Sequence, residues 1–247
     1  MIKGVYSAAS SLEALQQAQD LLAADVANVG TNGFRASRAA EGEFLRQLVY
    51  QVGGFGGLTA NTPTVGTGAV QDVTSIDLSQ GPLRQTGRSL DLALDGDGFF
   101  ALQAADGSVR YTRDGRFSLD ALGHLVAGDG SLALGTNGPL TVQGGEIGVA
   151  ADGTVTDAAG KTMDRLRIEA LPAGSLQRVG SSEFRAGEPG APATAKVVQG
   201  ALEGSNVNLV RTMTAMMEVL RAYEASQRLL QMQDQTLSTA ATQVGAV

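Results

Sequence analysis

A chain of 247 residues without cysteine forms no disulfide and offers no thiolate to a metal or to nucleophilic catalysis. Its length supports one large or two small domains with a real core. Its formal charge of −7, from 18 basic and 25 acidic residues with no basic patch, argues against a nucleic-acid partner.

At the N-terminus, Lys3 is followed by Ser10, Ser11, Glu13, Gln16 and Gln17, where a cleaved signal peptide needs an unbroken apolar stretch. No apolar run approaches the roughly 20 residues of a membrane span. Instead Val5, Ala8, Leu12, Leu15, Gln19, Leu22, Val26 and Val29 recur in steps of three and four, the period of a coiled-coil seam. The spacing predicts a helix from Ile2 to Asn28, stopped by Val29-Gly30-Thr31-Asn32-Gly33. Gly30 is placed to turn left-handed past the helix end, Asn32-Gly33 is a turn dipeptide, and Phe34 follows as an apolar anchor with Arg35 beside it.

Residues 36–85 read as an extended linker. Glu43 to Val52 fits a short helix or strand, Gly53 to Gly57 is a glycine loop with no Gly-Lys-Ser/Thr behind it to bind phosphate, and Pro63 keeps Asn61 to Gly68 extended. Val65 to Gln85 is expected to run extended into the body.

From Leu90 the period becomes two. Short apolar runs at Leu92–Leu94, Phe99–Leu102, Val109–Thr112, Arg116–Leu119, His124–Val126, Leu132–Leu134, Leu140–Val142, Ile147–Val149, Val155–Thr156 and Leu166–Ile168 are separated by Asp95-Gly96, Asp97-Gly98, Asp106-Gly107, Asp114-Gly115, Asp129-Gly130 and Asp152-Gly153. Asp-Gly pairs supply the positive φ of tight hairpins, so residues 86–206 are expected to form an antiparallel β domain. The 33 glycines of the chain fit that turn-rich reading. The same pairs suit calcium only superficially: Asp95-Gly96-Asp97-Gly98 lacks the later ligands and closing Glu of an EF-hand, and nothing repeats at nine residues. His124, the single histidine, has no second His or Cys for zinc. No Gly-x-Ser-x-Gly elbow or paired catalytic motif stands out. The expectation is no enzyme, no cofactor, no metal and no small-molecule substrate. Residues 172–196, with Pro172, Pro189 and Pro192, read as a loop-rich return, and Val197 to Ala201 as a last strand.

The C-terminal stretch carries a second heptad series: Leu209, Met213, Met216, Leu220, Tyr223, Gln227, Leu230, Asp234, Leu237, Ala241, Val244. Without Gly or Pro between Val207 and Val244, a helix there is roughly 55 Å long at about 1.5 Å per residue, and needs a partner along its length. Ser205 or Asn206 is the expected cap. Small and polar seam members (Ala8, Gln19, Gln227, Asp234) make the two helices marginal alone and suggest that other copies complete them, although spacing alone also fits a helical hairpin within one monomer. The charged residues of 1–40 and of 207–247 balance, so the acid excess lies in the middle, as suits nearly neutral packing ends and a solvated body. The expected fold class is mixed and mainly β. A turn-rich antiparallel β domain (86–206) is bracketed by long N- and C-terminal α-helices (1–35 and 207–247) that pair as a coiled coil. Leu12, Leu15, Leu22, Val26, Leu209, Met213, Met216, Leu220, Tyr223, Leu230 and Leu237 form the expected assembly seam.

Three stretches together resemble one family. Ala27-Asn28-Val29-Gly30-Thr31-Asn32-Gly33-Phe34-Arg35 is similar to the signature closing the N-terminal helix of bacterial flagellar axial proteins. Leu94-Asp95-Gly96-Asp97-Gly98-Phe99-Phe100, with Tyr111 to Asp120 and Gly123 to Val126, resembles the β core of flagellar rod and hook proteins. Leu202-Glu203-Gly204-Ser205-Asn206-Val207-Asn208, with Arg221-Ala222-Tyr223-Glu224 beyond, resembles the start of their C-terminal helix. The order matches and the stretches span nearly the whole chain. Gly30, and Ala24-Asp25 in place of an Asn pair, depart from the pattern.

The resemblance implies a structural axial subunit of the flagellar basal-body rod, of the proximal or distal class. Such a subunit self-assembles helically to transmit torque from motor to hook, with Asn28, Gly33, Phe34, Gly96, Gly98, Phe99, Ser205, Asn206, Val207 and Asn208 as family-motif positions. It implies copies of itself and other rod or hook subunits as partners. It also implies type III flagellar export to the cell envelope and periplasm without a cleaved signal. The alternative is a hook-type or other secreted self-assembling or adhesion protein of the cell surface.

Overall fold

A computed structural model describes residues 2–39, 74–142, 147–157 and 159–244, and its β body is built outward from the strand Phe99–Gln103. Side chains alternate across a strand: Phe99 and Ala101 go to one face with Ile76, Tyr111, Leu134, Leu176 and Phe184, while Phe100 and Leu102 go to the other with Leu92, Leu94, Phe117, Leu125 and Val155. Covering both faces makes the strand continuously apolar. Each face is closed by an edge-to-face ring pair, Phe99 with Phe184 at 5.7 Å and Phe100 with Phe117 at 5.5 Å.

The main sheet is antiparallel, in the order Leu176–Arg178, Glu183–Ala186, Val109–Thr112, Phe99–Gln103, Leu132–Gly135, Leu125–Val126, Ser118–Leu119. Ile168–Ala170 also joins Phe99–Gln103. Ile147–Val149, Thr154–Asp157 and Thr162–Arg165 form a separate three-stranded meander. Lys196–Gln199 pairs with Leu92–Asp95, and Ala201–Glu203 with Leu83–Gln85. Short strands at Ser37–Ala39 and Thr74–Ile76 pair with each other.

Asp106-Gly107, Asp129-Gly130 and Asp152-Gly153 join paired strands as hairpin turns, as expected, whereas the strands on either side of Asp95-Gly96-Asp97-Gly98 and of Asp114-Gly115 pair elsewhere, so those pairs are not hairpin turns. Asp106, Asp129 and Asp152 each accept the backbone N–H two residues on, at 2.8, 3.1 and 3.0 Å. Asp114 likewise accepts the Arg116 N–H at 3.1 Å, but its glycine is different. Gly115 has no positive φ; a Cβ there would lie 1.6 Å from the Leu92 carbonyl oxygen, so glycine is required by close strand approach.

Residues 172–196 are not a loop-rich return. They hold the strands Leu176–Arg178, Glu183–Ala186 and Ala191–Pro192, whose few apolar anchors (Leu176, Phe184) escape a periodicity search. The expected strand at Leu140–Val142 contributes only a bridge between Thr141 and His124, and Gly138–Pro139 pairs with Leu132–Gly135 instead. The readings made for 43–52, 53–57, 61–68 and 65–73 fall outside the described residues.

The coiled-coil expectation is corrected. The chain is mainly β, with two helices among the described residues, α1 (Ile2–Ala27) and α2 (Leu209–Val244), and no coiled-coil pairing of the two is shown. Leu209, Met213 and Leu220 of the expected seam are 37%, 47% and 37% exposed. The partly covered stripe of α2 is Thr212, Met216, Val219, Tyr223, Ser226, Leu230 and Gln233. It keeps the three-four period but takes, at alternate positions, the residue before the expected one. Apolar residues lie on both sides of Met216 and Tyr223, so spacing alone leaves the rotation of the stripe open. The chain divides into two compact units, one holding both helices and the other, Ala27–Ala36 with Ile76–Asn208, holding the β body.

Gly130→Ala, in open space at φ 87°, is expected to cost about 1–2 kcal/mol for the left-handed conformation. Gly115→Ala is expected to cost more, because backbone must move. Urea unfolding of the two variants checks this, and equal midpoints would refute the close-approach account.

Candidate functional site: a buried ionic junction

The segments leading out of α1 and into α2 meet on the β body around Glu203. This carboxylate, 0% exposed, closes the strand Ala201–Glu203. Its Oε1 lies 2.7 Å from Arg35 Nη1 and accepts the Gly81 N–H at 2.8 Å. Its Oε2 accepts a bond from Arg113 Nη1 at 3.0 Å. Arg35 and Arg113 are also buried. Arg113 lies over the Phe99 ring, 5.2 Å from its centroid, and donates through Nη2 to the Gly96 carbonyl at 2.8 Å. Burial pulls the Arg113 guanidinium below its ordinary pKa, and the Glu203 charge pulls it back. Two cations thus share one carboxylate. Arg35 Nε and Nη2, and Arg113 Nε, are buried without a hydrogen-bond acceptor among the described residues.

Local backbone geometry sets this arrangement. After α1 the chain turns at Thr31, whose N–H bonds the Asn28 carbonyl. The left-handed residue is Gly33 (φ 66°), not Gly30 as the sequence suggested. A Cβ on Gly33 would sit 2.3 Å from Asp114 N, so only glycine lets this segment lie on the Arg113–Asp114 backbone. Gly33 N–H then donates to the Glu203 carbonyl at 2.8 Å. Phe34, 2% exposed, stacks under Arg178, whose guanidinium carbon is 4.5 Å from its ring and 5.1 Å from that of Phe184.

Ser205 or Asn206 is the expected cap, but α2 starts at Leu209 and Asn206 bonds elsewhere. Its Oδ1 accepts the Ala36 N–H at 2.7 Å, and its Nδ2 donates to the Asp77 and Ser79 carbonyls at 2.9 and 3.0 Å. It serves as a clamp between three separate stretches of chain. Ser205 Oγ accepts the Val207 N–H at 3.2 Å, and α2 begins two residues after Val207.

Gly33, Phe34, Gly96, Phe99 and Asn206 of the motif positions therefore converge, with Ser205 buried beside them. Gly98 lies apart, against Ala193 and Ile168. Asn28 accepts the Thr31 hydroxyl at 3.1 Å, Val207 is half-buried and Asn208 is exposed. Of the seam set, Leu12, Leu15, Leu22 and Val26 are half-buried on α1, and Met216, Tyr223 and Leu230 on α2. Leu209, Met213 and Leu220 are exposed, and the Leu237 side chain is outside the described residues. Sequence reasoning did not single out Arg35, Arg113, Glu203 or Arg178 as functional. A usable signal was present: each of the three motif stretches carries one of the junction's charges, two of them basic and one acidic.

Fold and junction define a β-bodied subunit whose two helix-bearing ends are tied at one buried point. Residues 198–243 match the family described as flagellar basal body rod FlgEFG protein C-terminal, and residues 93–157 match the flagellar hook protein FlgE/F/G D1 domain. The chain is 32% identical to the flagellar basal-body rod protein FlgG of Bacillus subtilis, covering 96% of this chain and 97% of the relative. It is also 32% identical to the rod protein FlgF of Escherichia coli, covering 93% of each, and 32% identical to FlgG of Borreliella burgdorferi, covering 97% and 98%. The chain belongs to the flagellar basal-body rod protein family.

Glu203→Gln removes the carboxylate that lies between two buried guanidinium groups. A loss of about 3–5 kcal/mol in unfolding free energy is expected, as when one partner of a buried pair is deleted. Denaturant unfolding followed by circular dichroism measures it, and a change below about 1 kcal/mol would mean that the junction is solvated.

Proposed function

We propose that this protein is a structural axial subunit of the bacterial flagellar basal-body rod that self-assembles helically and transmits torque from motor to hook. The observation that carries the reading is α2, a 36-residue helix on which Val210, Met217, Leu229 and Met232 are 75%, 52%, 53% and 56% exposed. Apolar area on that scale is costly in water and marks a surface made to be covered. The relatives, named as rod proteins and alike over nearly the whole chain, support the same reading.

In this proposal residues 1–35 and 207–247 are the assembly part, 36–85 a linker, and 86–206 the outward body. The seam residues of α1 and α2 meet neighbouring subunits: copies of this chain and other rod or hook subunits. The flagellar export apparatus delivers the chain, without a cleaved signal, to the periplasmic part of the basal body. No catalytic role is assigned; Asp106, Asp114, Asp129 and Asp152 are engaged with their own backbone. A hook-type subunit is the second reading, favoured by the hook protein description of the domain matched at 93–157.

Electron microscopy of a deletion strain tests the proposal. Cells without the chain are expected to lack complete rods, and the unaltered chain is expected to restore them. Leu220→Asp is expected to fail to restore them while leaving the melting temperature of the free chain unchanged, because Leu220 is 37% exposed there. Complete rods lacking only hooks would select the hook reading. Normal rods with Leu220→Asp would remove α2 from the assembly contact.

A further inference from the structure

The β body carries one large apolar side chain held out into solvent on a stiffened turn. Leu122, 77% exposed, is at the tip of the hairpin between Ser118–Leu119 and Leu125–Val126. Asp120 fixes that tip. Its Oδ1 accepts the N–H groups of Leu122 and His124 at 2.9 and 2.7 Å, and its Oδ2 lies 2.8 Å from His124 Nδ1. The turn is therefore pre-organised, and little ordering entropy is lost when Leu122 is buried by a partner. Single exposed leucines are common; a leucine displayed by three hydrogen bonds from one carboxylate is better placed to serve as an anchor.

The same body holds a matching recess. A cavity of about 400 Å³ opens between Leu78, Phe99, Leu171 and Pro172, with buried Arg113 at its floor and the exposed Asp97 at its mouth. Leu78, Phe99, Leu171 and Pro172 give it an apolar side, and it is roomy enough for a leucine side chain. The mouth and the hairpin are also complementary in polarity. Among the described residues, neither the Asp97 carboxylate nor His124 Nε2 makes a hydrogen bond. Leu122 does not line the recess of its own chain.

We infer that Leu122 of one subunit seats in the Leu78–Phe99–Leu171–Pro172 recess of a second copy of this chain, with His124 facing Asp97. Knob and hole are different residues of one body, so the contact can run head to tail from copy to copy. Repeated without closing, such a contact generates an open helical array. The inference rests on the assembly reading and adds to the α2 contact a second one between β bodies.

The absence of native cysteine allows a direct test. Leu122→Cys and Pro172→Cys are introduced into the full chain, singly and together, and assemblies are treated with a short bis-maleimide, which relaxes the strict geometry of a disulfide. The double variant is expected to give a ladder of covalent multimers, and a mixture of the two single variants covalent dimers, with neither single variant alone linking. Leu122→Asp is expected to reduce assembly at least tenfold without shifting the melting temperature of the free chain. Normal assembly without cross-links, or undiminished assembly of Leu122→Asp, overturns this contact and leaves the assembly reading standing. An unaltered chain that never assembles overturns both.

Discussion

The carboxylate of Glu203 is the point on which the order of the body depends. It holds Arg35 from the segment after α1 and Arg113 from the sheet, and it accepts the Gly81 N–H. A buried triad of this kind is weak evidence for stability, since apolar residues of equal volume often serve as well or better. Its value is positional. A hydrophobic contact tolerates sliding by a residue or two, whereas two guanidinium groups sharing one carboxylate do not.

Positional accuracy matters here because of leverage. The residues that enter the junction lie a few positions from the ends of helices of 26 and 36 residues. Asn206 adds to the constraint, since one side-chain amide bonds Ala36, Asp77 and Ser79. The Phe34 ring under Arg178 adds an apolar contact that excludes water from the same place.

Much of this is legible in the sequence, and the failures share a cause. Local signals read well: the stop of α1 near Ala27, the long uninterrupted C-terminal helix, the switch to period two at Leu90, and the hairpins at Asp106-Gly107, Asp129-Gly130 and Asp152-Gly153, each set by a few neighbouring residues. What fails depends on residues far away in sequence. Gly33 rather than Gly30 is left-handed because of Asp114, and Gly115 is glycine because of Leu92. Asn206 reads as a cap until Ala36 is known to lie beside it. The strands in 176–192 owe their existence to partners such as Tyr111, and the rotation of the α2 stripe to whatever covers it. Charge behaves similarly. Arg35, Arg113 and Glu203 look like ordinary solvated residues one at a time, and only their convergence makes them a junction.

Body and helix differ in how complete they are. In the body, both faces of the Phe99–Gln103 strand are covered, and the ring pairs and hairpin aspartates find their partners within the chain. In α2, apolar side chains lie on the covered stripe and on the exposed side alike. A helix of 36 residues extends about 54 Å, more than strands of two to five residues can flank. Shortening the helix would remove the exposed area, and polar residues at Val210, Met217 and Met232 would make it harmless at no cost to the body. Length and apolar surface retained together are what the proposed assembly contact on α2 would use. The junction then has a definite role. It fixes where the chain enters and leaves the β body, at the roots of α1 and α2.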